Sequence, residues 1–145
     1  MRIKPFHVLQ GIPIRPAKTA LLQTDGSYGA NYQSLSRTAS LLINHKGDQF
    51  TYCKVYANHT DSTESEWCSV LDGIRFAIDK GEWAIELEND NAEVIHSLCL
   101  ESIPKRPHIA EYQEAIYSHI HTLEYFSIRW IPRRFNAADG IFRLF

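Results

Sequence analysis

The stretch LLQTDGSYGA (residues 21–30) places Asp25 and Gly26 directly after an apolar run. Two structures fit these ten residues. An Asp-Gly pair between apolar segments is a strong signal for a tight β-hairpin turn. The same letters also fit a buried strand that carries a carboxylate at its centre. The rest of the sequence has to decide between the turn and the strand.

Length and composition predict one soluble domain. The chain has 145 residues, of which 44% are hydrophobic and 22% are charged, which is ordinary for a globular protein with a core of its own. No apolar run reaches the length of a membrane span, and the N-terminus lacks the apolar segment of a signal peptide. The three cysteines, Cys53, Cys68 and Cys99, form neither a metal motif nor a disulfide framework. We therefore expect a protein of the reducing cytoplasm that makes no membrane contact.

The net charge of −2 conceals an uneven distribution. Residues 1–18 carry four basic residues and no acid, whereas residues 61–101 carry eleven acids and two bases. One interpretation is that the acids lie on solvated helix faces. The other is a carboxylate cluster that needs cations, with basic flanks for an anionic ligand. The basic arm itself either contacts phosphates or packs as an extra strand through Phe6, Val8, Leu9 and Ile12.

Periodicity predicts a mixed α/β order. The predicted strands are 18–28, two strands within 36–58, 82–89 and 124–132, and the predicted helices are 63–81, 90–102, 108–123 and a short 136–145. The first three strands suggest an antiparallel meander, and the later strand–helix–strand steps suggest parallel additions. Trp67 and Trp83 are expected in the core.

Four acids fall at the ends or centres of these elements: Asp25 in the first strand, Glu66 in the first turn of the first helix, Asp90 after the fourth strand, and Asp139 in the last helix. Each of the last three also has a helix-capping explanation. Thr63 and Glu66 fit a capping box, Asp90 resembles the start of another, and Asp139 lies where an acid favours the helix dipole.

Taken together, the four acids suggest a metal site. Four carboxylates that converge at one sheet edge would repel one another, and divalent cations would relieve that repulsion. Ligation by oxygen alone suits Mg²⁺ or Mn²⁺ and not zinc. Two such ions can promote phosphodiester hydrolysis.

Four motifs in order carry a family resemblance: TDGSY in the first strand, TESEW at the start of the first helix, ELENDNAEVI at the junction of the fourth strand, and IRWIPRRFNAADGI near the C-terminus. Together they resemble ribonuclease H type 1, over about residues 19–145. Residues 1–18 would then be a basic N-terminal extension, and residues 19–145 a catalytic domain of the ribonuclease H-like fold.

The resemblance implies an α/β fold with a five-stranded mixed sheet, of strand order 3-2-1-4-5, flanked by α-helices. It implies an endonuclease that cleaves the RNA strand of RNA/DNA hybrids and leaves 5′-phosphate and 3′-hydroxyl ends. Asp25, Glu66, Asp90 and Asp139 match the four metal-binding and catalytic acids of the family. They would hold two Mg²⁺ ions, with Mn²⁺ as a substitute. Asp25 would bridge both ions, Asp90 would hold the ion on the nucleophile side, and Asp139 the other.

The resemblance also assigns substrate contacts. The main chain near Gly26 and Ser27, and the residues just before Glu66, would read the ribose 2′-hydroxyl that distinguishes RNA from DNA. Gly26 would let the substrate backbone approach closely. Many relatives have two asparagines where this chain has Ser62 and Thr63, whose hydroxyls can also donate and accept hydrogen bonds.

Two departures from the family concern substrate handling. Many bacterial members have a histidine before the last acid, but here only IPRRFNAA separates Trp130 from Asp139. Either Arg133 or Arg134 takes the place of that histidine, or these arginines only face phosphates or solvent. The basic protrusion that grips DNA in some members is reduced to Lys105 and Arg106.

The expected partner is thus an RNA/DNA hybrid, and the expected state is a monomer. The alternatives are a structure-selective DNA nuclease of the same fold, a non-catalytic binding module, and a thiol enzyme built on one of the cysteines. The complete set of acids disfavours the binding module.

Overall fold

Six strands form one mixed sheet in the part of the chain that the computed structural model describes, residues 7–29 and 35–144. The strands are β1 His7–Gln10, β2 Ala20–Gly29, β3 Leu35–Ile43, β4 Gln49–Tyr56, β5 Ala84–Asn89 and β6 Tyr125–Trp130. The helices are α1 Ser62–Asp79, α2 Ala92–Leu100 and α3 Pro107–Ile120, followed by 3₁₀ helices at Arg133–Phe135 and Ala137–Leu144. None of these helices combines the length and the apolar character that a bilayer crossing requires.

The strands lie in the order β1-β6-β5-β2-β3-β4. Strands β2, β3 and β4 pair antiparallel, as the predicted meander requires, while β5 and β6 add parallel to β2. The prediction of a five-stranded sheet is wrong by one strand. The sixth strand, β1, pairs antiparallel with β6.

The additional strand comes from the basic N-terminal arm. His7 pairs with Ile128 and Gln10 with Phe126, so β1 covers the edge of the sheet that β6 would otherwise leave open. Of the apolar residues predicted to pack, Leu9 contacts the core, whereas Ile12 is 68% exposed. Phe6 lies outside the described residues.

Alternation along the strands divides the side chains between two faces. Leu22 and Thr24 of β2 point toward the helices, and so Asp25 points to the opposite face. The main core lies between the sheet and the helices, and α1 contributes Trp67, Val70, Leu71, Ile74 and Ala77 to it. Trp83, by contrast, is 52% exposed and does not belong to the core.

The opposite face of the sheet is covered by the C-terminal segment. Ala138 and Ile141 of the second 3₁₀ helix pack against Ala39 of β3, which is the residue paired with Asp25. The segment was predicted as one α-helix over 136–145. Instead, i→i+3 bonds such as Asn136 N–H to Arg133 O (3.0 Å) and Asp139 N–H to Asn136 O (3.2 Å) form 3₁₀ turns. Gly140, a poor helix former, contributes to this outcome.

Helix α1 lies unusually close to β2. A Cβ atom on Gly73 would come 2.3 Å from Cγ2 of Thr24 and 3.2 Å from Oγ of Ser40. Thr24 cannot easily turn away, because its Oγ1 accepts a hydrogen bond of 2.9 Å from Asn89 Nδ2. Gly73 is therefore required by packing.

We expect Gly73→Ala to lower the free energy of unfolding by about 1–3 kcal/mol, the usual effect of overpacking a core. The matched control is Gly140→Ala, because a Cβ there meets nothing within 4 Å and alanine is the better helix former. Chemical denaturation of both variants tests the prediction. Equal stabilities would contradict it.

Candidate metal centre

Three carboxylates from three elements meet at one point of the sheet. Asp25, Glu66 and Asp90 each offer an oxygen within 4.8 Å of the others. The pairing of β2 with β5 ends at Gln23, so the two strands have diverged where Asp25 lies. Asp90 directly follows β5, and Glu66 lies in the second turn of α1. Asp25 is on the central strand, which excludes the hairpin turn.

The fourth predicted acid borders the same pocket. Asp139 is the third residue of the second 3₁₀ helix, and its Oδ1 lies 3.7 Å from Nη2 of Arg133. The pocket has a volume of about 280 Å³ and is lined by Asp25, Gly26, Ser27, Tyr28, Glu66, Asp90, Arg133 and Asp139. The structure therefore brings together the four acids, Gly26, Ser27 and Arg133.

Glu66 faces the pocket and does not cap its helix. The N-cap of α1 is Asp61, whose side chain accepts a hydrogen bond from the Glu64 N–H (3.0 Å), so the predicted capping box of Thr63 and Glu66 is wrong. Both carboxylate oxygens of Glu66 accept hydrogen bonds from residues outside α1. Oε1 accepts from the Gly26 N–H at 2.7 Å, and Oε2 accepts from Asn91 Nδ2 at 3.1 Å.

Asp90 is likewise free of a capping role. The N-cap of α2 is Asn91, whose side chain accepts from the Val94 N–H. The Asp90 carboxylate instead accepts from Asn136 Nδ2 at 3.4 Å, and the Asp90 carbonyl accepts from Trp130 Nε1 at 3.0 Å. A buried amide and an indole thus fix the turn that presents this acid to the pocket.

Gly26 is required by the close approach of α1, a role that the sequence did not suggest. A Cβ on Gly26 would lie 2.4 Å from the Ser65 carbonyl oxygen and 2.8 Å from the Glu66 nitrogen. The space that a side chain of residue 26 would occupy is therefore filled by the backbone of α1. Its N–H also donates to Glu66, so Gly26 serves to bring helix and strand together.

Burial and mutual repulsion make the acids reluctant to ionise together. Asp25 is 6% exposed, and burial, with the charges of Glu66, Asp90 and Asp139, raises its pKa to about 9. Burial also raises the pKa of Glu66 and that of Asp90 above their ordinary values. In Asp90, a hydrogen bond from Asn136 and the charge of Arg133 oppose the rise.

The donor set fits a hard divalent cation. It consists of carboxylate oxygens, and Arg133 is the only cationic residue among the described residues that line the pocket. Mg²⁺ and Mn²⁺ prefer oxygen ligands, and such an ion would relieve the repulsion that raises the pKa of Asp25. Asp25, Glu66 and Asp90 could hold one directly, with Asp139 at the pocket border.

The remaining predicted substrate residues lie outside this pocket. Ser62 is exposed, and Thr63 lines a larger cavity of about 660 Å³ with Trp67, His96 and Lys105 among its neighbours. The Arg134 guanidinium lies 4.8 Å from the centre of the Phe135 ring. Arg133, and not Arg134, lines the pocket.

Sequence reasoning missed three residues at this site: Tyr28, Asn91 and Asn136. Tyr28 lines the pocket, and the two asparagines donate to Glu66 and Asp90. A signal for Asn91 was present in the stretch NDNAE, since an asparagine beside a catalytic acid can serve as its hydrogen-bond donor.

Comparison with known proteins assigns the family. Residues 23–139 match the family described as Reverse transcriptase-like. The chain belongs to the Reverse transcriptase-like family. The matched residues include all four acids. A search of curated proteins finds no significant match.

Solved structures of ribonucleases H have the same fold. RNase H1 from the halophilic archaeon Halobacterium salinarum NRC-1 superposes with a TM-score of 0.76 at 18% identity, covering 84% of this chain and 92% of that one. The N-terminal RNase H domain of a Mycobacterium tuberculosis protein gives 0.72 at 15% identity, with coverage of 85% and 89%. LC11-RNase H1, in complex with an RNA/DNA hybrid, gives 0.72 at 16% identity, with coverage of 83% and 91%. The predicted ribonuclease H-like α/β fold is confirmed.

The raised pKa of Asp25 predicts how the metal-free protein responds to pH. The folded-state pKa is about 9 against an ordinary value of 3.8, so folding takes up a proton between these pH values. The contribution of Asp25 to stability is therefore present below pH 3.8 and is lost as pH rises toward 9. Asparagine keeps the Oδ1 acceptor for the Gly26 N–H but carries no charge.

We expect Asp25→Asn to melt at a higher temperature than the parent in EDTA, with an advantage that grows by ~5 °C or more from pH 5 to pH 8. Asp79→Asn, at an exposed acid near the end of α1, is the control and should show no such trend. A melting-temperature difference for Asp25→Asn that stays constant with pH would contradict a raised pKa of Asp25.

Proposed function

We propose that this protein is an endoribonuclease that hydrolyses the RNA strand of RNA/DNA hybrids. The observation that carries the proposal is the convergence of Asp25, Glu66 and Asp90 within 4.8 Å, with Asp139 at the same pocket, in a ribonuclease H-like fold. LC11-RNase H1, which shares this fold, is known in complex with an RNA/DNA hybrid.

We assign the four acids to two Mg²⁺ ions, for which Mn²⁺ can substitute. Bound there, such ions would supply an activated water and neutralise charge at the scissile phosphate, and we expect cleavage to leave 5′-phosphate and 3′-hydroxyl ends. Asp25 experiences the charges of the other three acids, which supports its assignment to both ions. Asp90 and Asp139 would each serve one ion.

The contacts of Gly26 and Glu66 refine the proposed reading of the 2′-hydroxyl. Because the Gly26 N–H already donates to Glu66 at 2.7 Å, it is not free for substrate. Ser27, which lines the pocket, is better suited to the ribose. Ser62 and Thr63 would then contact nucleotides farther from the scissile phosphate, along the cavity that Thr63 lines.

Arg133 is our choice for the role of the missing histidine. It is exposed, lines the pocket and lies 3.7 Å from Asp139, so it can reach a phosphate that is leaving the site. Arg134 stacks on Phe135 instead. We expect a monomer that acts in the cytoplasm, where its three free cysteines would stay reduced.

The thiol-enzyme alternative finds no support in the cysteines. Burial raises the pKa of Cys53 and of Cys99, and raises that of Cys68 to about 12. A reactive cysteine requires the opposite shift. The three thiols therefore lack the thiolate character that nucleophilic catalysis needs.

A cleavage assay tests the proposed function. One end-labelled RNA strand is presented alone, in duplex RNA and in a hybrid with DNA, with Mg²⁺, Mn²⁺ or EDTA. We expect cleavage of the hybrid only, its loss in EDTA, and a fall of at least about a thousandfold in Asp25→Asn and Asp139→Asn. An intact hybrid in both metals, or full activity in Asp25→Asn, would overturn the assignment. Cleavage of DNA junctions alone would favour the structure-selective DNA nuclease.

The two arginines provide a matched pair for substrate handling. We expect Arg133→Ala to slow hybrid cleavage at saturating substrate about tenfold, because a charge at the pocket is removed. Arg134→Ala should change the rate less than twofold. Steady-state kinetics at fixed Mg²⁺ distinguish them, and an equal loss in both variants would count against the assignment of Arg133.

A further inference from the structure

Three of the hydrogen bonds of Asn91 join helix α2, strand β5 and helix α1. Its Oδ1 accepts from the Val94 N–H at 3.0 Å, which caps α2. Its backbone N–H donates to Asn89 Oδ1 at 2.7 Å. Its side-chain nitrogen, Nδ2, donates to Glu66 Oε2 at 3.1 Å. Only the last of these contacts reaches the acids.

These bonds belong to a closed circuit around the pocket. Asn89, fully buried, donates from Nδ2 to Thr24 Oγ1 at 2.9 Å and to the Thr24 carbonyl at 3.1 Å. From Asn89 the circuit passes through Asn91 to Glu66, whose Oε1 accepts from the Gly26 N–H. Since Gly26 lies two residues beyond Thr24, the circuit closes on β2.

We propose that Asn91 is a positioning residue for Glu66, holding its carboxylate in the orientation that a divalent cation requires. This inference rests on the proposed function insofar as Glu66 is a metal ligand. With the Gly26 N–H on one oxygen and Asn91 on the other, the carboxylate is held at both ends. It cannot rotate freely about its last side-chain bond.

The chemistry of the donor matters as much as its position. A lysine or arginine at this place would also hold Glu66, but it would bring a positive charge that competes with the cation. An amide donates hydrogen bonds without carrying charge. Asn91 therefore orders the ligand while leaving the negative charge of the cluster available. Removing such a supporting donor typically weakens metal binding by about 10–100-fold.

Capping of α2 is the competing explanation for Asn91, and serine separates the two roles. Serine caps a helix about as well as asparagine, and the backbone N–H bond to Asn89 does not depend on the side chain. Its hydroxyl is too short to bind the Val94 N–H and Glu66 together. Asn91→Ser should therefore keep the cap and lose the contact with Glu66.

The matched control is Asn44→Ser, the same substitution at a turn away from the pocket. Asn44 Oδ1 accepts from the backbone N–H groups of Lys46 (3.0 Å) and Asp48 (2.8 Å). Three quantities are measured on the full chain for the parent and both variants. They are the Mg²⁺ dissociation constant by calorimetry, the melting temperature in EDTA, and hybrid cleavage as a function of Mg²⁺ concentration.

We expect Asn91→Ser to weaken Mg²⁺ binding about tenfold while the melting temperature in EDTA stays within ~2 °C of the parent. Cleavage should recover at high Mg²⁺, because the missing donor affects the binding of the ion. Asn44→Ser should leave the dissociation constant unchanged. If Asn91→Ser does not fold, Asn91→Thr replaces it, since threonine also caps.

A dissociation constant for Asn91→Ser within twofold of the parent overturns the inference, as does an equal loss in Asn44→Ser or a parent that binds no Mg²⁺. The proposed function fails separately. A parent that binds Mg²⁺ and leaves the hybrid intact contradicts the nuclease alone, while a parent that cleaves and a variant that binds Mg²⁺ normally contradict only the role of Asn91.

Discussion

The pocket depends on the close contact between β2 and the first turns of α1. Because Gly26 has no side chain, the Ser65–Glu66 backbone can lie where a Cβ would otherwise be, 2.4 Å from the Ser65 oxygen. That approach makes the 2.7 Å hydrogen bond from the Gly26 N–H to Glu66 possible. Gly73 repeats the contact two turns farther along α1, against Thr24. A helix displaced outward by one methyl group would carry Glu66 away from Asp25.

The acids are held together against their own repulsion. The rise in the pKa of Asp25 to about 9 means that the metal-free cluster opposes full ionisation. Its geometry must therefore be supplied by the rest of the fold: the end of β5 for Asp90, α1 for Glu66, and the 3₁₀ turns for Asp139. The apolar core between the sheet and the helices provides the stability that such a site requires. A bound cation would replace the repulsion among the acids by attraction between each acid and the ion.

The sequence predicted the strands and helices where the apolar periodicity was strong. The family motifs predicted the four acids that line the pocket. Helix α1 and strands β2 to β6 follow from their apolar spacing, and the four acids were found at the ends of elements. It failed where a local pattern has two meanings. Thr63 and Glu66 fit a capping box, but Asp61 fills the cap and Glu66 turns to the pocket. Strand β1 could not be separated from a phosphate-binding arm, because pairing with β6 is a long-range contact that no local pattern encodes.

The acids of the central segment fall into two groups, those that form ion pairs with distant bases and those that line the pocket. Several acids of the central segment pair with bases outside it: Glu86 with Arg15 of the N-terminal arm at 3.8 Å, Glu88 with Arg129 at 3.9 Å, and Asp61 with Arg106.

The pocket acids differ in their partners. Glu66 is held by a backbone N–H and the amide of Asn91, and Asp90 by the amide of Asn136. Arg133, which lies 3.7 Å from Asp139, is 80% exposed, so its side chain is mostly in water. Exposed ion pairs of this kind contribute little to the stability of the fold. Several acids of the central segment thus have a basic partner, whereas Glu66 and Asp90 are held by neutral hydrogen-bond donors, a division that neither net charge nor composition reveals.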